Sequence, residues 1–146
     1  MPYRRFEFHQ RLTEVCGEYE AARVAVDRLR GDLIATPDLG KRLEAAVRDH
    51  LEAAHRNLEG TYIVRLFAAF EAALRSCDRS KHKDPTRQTD ASIMIDEIGG
   101  KRNRGIPLSV REGAHAVRRV RNFWAHESDE DPGPMSIDKS RASLQK

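Results

Sequence analysis

Apolar or small residues recur alternately four and three positions apart at Phe8, Leu12, Val15, Tyr19, Ala22, Val26, Leu29 and Leu33. A strand would alternate every second residue, so a seam of this period sustained over several turns commits the segment to one long helix with a single buried stripe. Such a stripe needs a second apolar face to cover it. The following segment offers one. Thr36 before Pro37 reads as an N-cap with proline at the first helical position, and a second seam runs through Leu39, Leu43, Ala46 or Val47, Leu51, Ala54 and Leu58. A third pattern, Ile63, Phe67, Phe70, Leu74 and Cys77, follows Gly60. Gly60 and Thr61 fit either a helix end with a new cap or a weak point inside one long helix.

Residues 79–90, "RSKHKDPTRQTD", lack apolar periodicity and contain a proline, which predicts a charged loop. A short helix is expected over Ala91 to Ile98, ended by Gly99 and Gly100, and "KRNRGIP" then reads as a basic connector. Ser109 and Glu112 have the spacing of a capping box, opening a last core helix to about His126. Pro132 and Pro134 oppose its continuation. The expected architecture is all-α: an up-down bundle of four to five helices with a long N-terminal helical hairpin. Residues 1–126 form one domain, and 127–146 form an acidic, partly mobile tail that either regains a turn of helix around Ser136 to Leu144 or stays mobile.

Composition agrees with that class. The 146 residues are 39% hydrophobic and 34% charged with few glycines and prolines, enough for one core and short for two. The longest apolar run, "IVRLFAAFEAAL", is broken by charge and too short for a membrane span, and "MPYRRFEFHQ" has no signal core, so a cytoplasmic location is expected. Cys16 and Cys77 form no CxxC pair, and His50 and His55 lack the HExxH arrangement, so neither metal nor cofactor is expected. His82 and His115 have no partner legible from spacing.

Charge is unevenly placed. Residues 101–121 carry seven basic side chains against one acid, Glu112, whereas 127–146 carry five acids against three bases. A local basic patch fits a polyanionic partner, with Lys101, Arg102, Arg104, Arg118 and Arg119 as the contacts to a nucleic-acid backbone and a solvated polar face as the plainer alternative. On a helical wheel Val110, Ala114, Val117, Val120 and Trp124 share one apolar sector, and Arg121 falls inside it. A guanidinium there must be compensated by a carboxylate such as Glu71 on another helix, by a wet cleft or by a bound anion. His126 supplies an imidazole, the kind of side chain that can give or take a proton during catalysis, and Asn122, four residues before it, shares its face. Arg121 and His126 stand about 140° apart on an ideal helix, so a second chain, a frayed end or a long reach is needed to bring them together. Trp124 belongs to the core or a dimer interface; Phe123, off the apolar sector, is the candidate for stacking a base.

"RNFWAH", residues 121–126, resembles the R-x4-6-H motif of the HEPN superfamily, and it stands in the last core helix, as in that family's helical bundles. "YIVRLFAAFEAALRS" is similar to the aromatic-rich helix of several HEPN families, and the resemblance covers about residues 61–126. It implies a metal-independent endoribonuclease working as a homodimer, often a toxin or antiviral effector restrained by an antitoxin or another regulatory protein. Carried over, Arg121 would bind and polarise the scissile phosphate, His126 would act as general base or acid, and Asn122 would orient the motif. The products would be a 2′,3′-cyclic phosphate and a 5′-hydroxyl. The tyrosine that some members carry just after the motif histidine has no counterpart in "ESDEDPG". The alternative, from a different functional class, is a non-catalytic dimeric adaptor that holds a protein or nucleic acid on the same surface.

Overall fold

The computed structural model describes residues 5–98, 106–126 and 130–146. Among them the chain is an all-α bundle: α1 (Arg5–Ala35), the single turn α2 (Pro37–Gly40), α3 (Ala45–His82), α4 (Ala91–Ile98), α5 (Leu108–His126) and α6 (Ile137–Leu144). No strand occurs among the described residues. Six helices rather than four or five result because α2 is split off as one turn and the C-terminal segment folds as α6.

The two long helices form the expected antiparallel hairpin. Cross-helix pairs fix the register: Arg30 to Glu52 at 2.8 Å, His55 to Asp27 at 3.2 Å, the Tyr19 and Tyr62 rings at 5.7 Å, and Phe8 and Phe70 at 6.1 Å. Thr36 does not cap a long second helix. Its side chain makes no cap hydrogen bond, the turn closes at Gly40, and α3 begins at Ala45. Gly60 is not a helix end either, since α3 runs through it for 38 residues. At 1.5 Å per residue α3 is about 57 Å long.

Helix α3 is the spine, packed against α1, α4, α5 and α6. The core lies beside its C-terminal half, where Leu12 and Val15 of α1 meet Ile63, Leu66, Phe67 and Leu74 of α3. Met94 and Ile95 of α4, and Ala114, Val117 and Val120 of α5, complete it from the other side. Beyond Gly60 toward the hairpin's tip, Leu51 is the one buried α3 residue.

The predicted loop at 79–90 is shorter than its composition suggests, because α3 continues to His82. Arg79, Lys81 and His82 fill its last turn, where cations complement the helix dipole. Lys83 then ends the helix at φ 54°, in the left-handed region usually given to glycine. Asp84 accepts hydrogen bonds from the Thr86 amide at 2.9 Å and hydroxyl at 2.8 Å, turning the chain toward α4. The capping box at Ser109 is not used as a cap: α5 starts at Leu108, with the Pro107 carbonyl accepting from the amides of Val110 and Arg111.

Of the two readings of the segment after Pro134, a regained turn of helix is the one realised, as α6. Ser136 caps α6 by accepting the Lys139 amide at 3.2 Å, and Ile137 and Leu144 join the same core as the other helices, each 4% exposed. Two polar links secure it: the Ile137 amide donates to Glu59 Oε1 at 2.8 Å, and Arg141 donates to Thr13 at 3.0 Å. No helix among the described residues is long and apolar enough to cross a membrane.

Candidate functional site at the end of helix α5

Helix α5 lies antiparallel to α3 with its apolar sector inward, which carries Arg121 into the α3–α5 seam. Its guanidinium is compensated as the sequence requires. Nη2 donates to Glu71 Oε2 at 3.3 Å, and the guanidinium carbon sits 4.9 Å from the centre of the Phe67 ring. The second Glu71 oxygen accepts from Arg75 at 2.9 Å, so one carboxylate is shared by two cations. The Arg121 side chain is 21% exposed, so it is not sealed off from solvent. Of the three ways of compensating Arg121, the carboxylate is realised within the chain.

His126 is the last residue of α5 and is exposed, and Asn122 is half-buried. No hydrogen bond joins them, and α5 stays helical through Ala125, so fraying does not close the bearing of about 140° between Arg121 and His126. Within one chain the two motif side chains are therefore not brought face to face.

The expected basic contacts divide. Lys101, Arg102 and Arg104 lie outside the described residues. Arg119 is exposed, while Arg118 is half-buried with its Nε shielded and unbonded among the described residues. Farther back on α5, Arg111 donates to the Asp96 carbonyl at 3.4 Å and His115 meets the Asp96 carboxylate at 2.8 Å, tying α5 to α4. The partner of His115 is thus a residue of the short helix, invisible to spacing along the chain.

Two features at this end of the bundle were not legible in the motif. Trp124 lies across Gly60 of α3, where a glycine lets the indole approach the helix backbone. The rings of Phe123 and Trp124 stand edge to face, 5.6 Å apart at 85°. Both line a cleft of about 520 Å³ between α3, α5 and the 131–136 segment.

A second polar cluster sits near the C-terminal end of α3. Asp78, only 8% exposed, accepts from Arg87 at 2.9 Å and Thr89 at 3.0 Å, and His82 approaches it at 3.1 Å. Burial alone would raise the Asp78 carboxyl, but the hydrogen bonds from Thr89 and Arg87 outweigh it and hold the group below its ordinary value. With Glu97 this is the one trio of metal-capable side chains among the described residues, yet Arg87 also reaches Glu97 at 3.7 Å and supplies the positive charge internally. The arrangement reads as a clasp pinning the 83–90 loop to α3.

Comparisons with protein-family models, with curated proteins and with solved structures found no match to this chain.

Proposed function

We propose that the chain is a metal-independent endoribonuclease of the HEPN type, working as a homodimer. The observation that carries this reading is a braced guanidinium followed on one unbroken helix by an exposed imidazole: Arg121, held by Glu71 and Phe67, and His126 at the helix end. A cation fixed before substrate arrives loses little reorganisation energy when charge builds on phosphorus. The RNA 2′-hydroxyl is an internal nucleophile, so no metal-activated water is required.

In the proposed reaction one His126 takes the proton of the 2′-hydroxyl as its oxygen bonds to phosphorus. Arg121 stabilises the added negative charge. The bond to the 5′-oxygen then breaks, and a protonated imidazole returns a proton to that oxygen, leaving a 2′,3′-cyclic phosphate and a 5′-hydroxyl. A second copy overcomes the 140° bearing, because each active site can take Arg121 and His126 from different chains. Asn122 orients the motif, and Arg118 and Arg119, with Lys101, Arg102 and Arg104, hold the RNA backbone. The biological setting proposed is a toxin with its antitoxin, or antiviral defence, in the cytoplasm.

The Arg121–Glu71 pair also favours a second reading, a non-catalytic dimeric adaptor in which Arg121 serves the helix seam alone. Cleavage of a mixed RNA pool in EDTA, with the wild type beside Arg121→Ala and His126→Ala, separates the two. Cyclic phosphate ends made by the wild type alone establish the enzyme. No cleavage by folded protein across RNA pools, with partner binding retained in His126→Ala, establishes the adaptor.

A further inference from the structure

The cleft beside the motif has the chemistry of a base-reading pocket. Its volume of about 520 Å³ lies in the range of small-molecule sites. Buried Ile63 and Val120 line it together with half-buried Met135, and Phe123 and Trp124 add aromatic surface. Trp124 keeps 39% of its surface exposed although its indole is backed by Gly60, which leaves a rigid aromatic platform for a planar ring. The facing wall is also fixed. Gly133 takes φ 80° between two prolines, and its amide donates to Asp131 Oδ1 at 2.8 Å.

One polar group in this cleft is positioned for recognition. Glu59 is half-buried, and the Ile137 amide donates to its Oε1 at 2.8 Å, which orients the carboxylate and leaves further acceptor capacity on both oxygens. A carboxylate beside an aromatic platform selects a flat ligand with two neighbouring N–H donors. Among the RNA bases guanine alone has that pair, N1–H beside the N2 amine; adenine and cytosine set their amine beside an acceptor, and uracil sets one N–H between two carbonyls. Arg56 at the rim supplies a cation for the attached phosphate.

We infer that the cleft between Trp124, Phe123 and Glu59 binds a guanine base. The ligand class rests on the proposed action on RNA, and the cleft thereby becomes the part of the substrate site that sets base preference. Glu59 pairs with the Watson–Crick edge, and the ring lies against the aromatic wall.

Trp124 is the sole tryptophan of the chain, so its emission reports on the cleft without any turnover. Titration of the full chain with GMP, AMP, CMP and UMP should give saturable quenching by GMP at a Kd roughly tenfold or more below that for UMP. Inosine monophosphate, lacking the N2 amine, should lose most of that advantage with no change to the protein. Glu59→Gln keeps an acceptor for the Ile137 amide but turns one carboxylate oxygen into a donor, so GMP should fall to the level of UMP while the thermal melt is kept. Equal or non-saturable quenching by the four nucleotides overturns the inference, as does a GMP preference shared by inosine monophosphate. The two proposals fail separately: GMP binding without RNA cleavage overturns the nuclease, and cleavage in EDTA without guanine preference overturns the cleft.

Discussion

The indole of Trp124 lies so close across Gly60 that a methyl group on that glycine would stand 2.7 Å from the indole Nε1. Glycine inside a helix ordinarily costs about 1 kcal/mol relative to alanine, so its presence midway along α3 has a steric reason. Gly60→Ala should therefore destabilise the chain by about 1–3 kcal/mol through overpacking. In a Trp124→Ala background the sign should reverse, with Gly60→Ala gaining up to about 1 kcal/mol as helix propensity takes over. Urea denaturation followed by far-ultraviolet circular dichroism checks both. The same effect in both backgrounds would remove Trp124 as the cause.

Glu71 serves two cations, and its loss should separate folding from chemistry. Glu71→Gln keeps the side-chain shape but removes the charge that orients Arg121 at 3.3 Å and Arg75 at 2.9 Å. The stability cost should be about 1–2 kcal/mol, read from thermal melts, as expected for weakened hydrogen bonds to charged groups. A guanidinium free to swing would act on phosphate from the wrong place, so cleavage should fall by roughly one to two orders of magnitude. Cleavage at the wild-type rate in a folded Glu71→Gln protein would show that Glu71 does not position Arg121 for chemistry. A loss of stability alone, in a chain that never cuts RNA, is the adaptor's signature.

Much of the bundle is legible in local pattern. The α1 seam, α4 over 91–98 and an α5 reaching to His126 follow from period, because these helices bury a single stripe. Local pattern falls short where a distant residue decides. Gly60 fits a helix end and a weak point inside one helix equally well, and only Trp124 of α5 explains why a glycine stands in an unbroken helix. The stretch after Asp78 reads as loop because its helical turn buries almost nothing apolar; it is held by Arg87 and Thr89 arriving from beyond the turn. For the last segment the sequence leaves a turn of helix and a mobile tail both open, because prolines and acids dominate its first half, while Ile137 and Leu144 find their core only in three dimensions. At the site, the need to compensate Arg121 and Glu71 as a candidate for it are both legible in sequence. The Phe67 face beneath the guanidinium and the cleft beside Trp124 are not, since both arise from how α5 sits on α3.

The Asp78 clasp should make the 83–90 turn acid-sensitive. Because folding lowers the Asp78 carboxyl, its ionised form stabilises the native state at any pH above the unfolded value of about 3.9. That stability is lost as pH falls through the lower, folded value. Asp78→Asn removes the charge at all pH values, so it should be less stable than wild type at pH 7 and the gap should narrow in acid. Melting curves at pH 7, 4 and 2.5 read the difference, and a gap that stays constant with pH would show that the clasp works by packing rather than by charge.

Helix α6 completes the core, and its removal should be felt both in stability and at the cleft. Ile137 and Leu144 are each 4% exposed against the other helices, so Ile137→Ala or Leu144→Ala should cost about 2–4 kcal/mol, measured by urea denaturation. The two changes differ in their second consequence. Ile137 follows the cleft wall directly, and its amide holds Glu59, whereas Leu144 packs at the far end of α6. Loosening Ile137 frees the Glu59 carboxylate as well as the wall, so Ile137→Ala should weaken GMP quenching of Trp124 by more than Leu144→Ala at matched stability. Equal weakening by both would place the effect in general destabilisation and sever the link between α6 and the cleft.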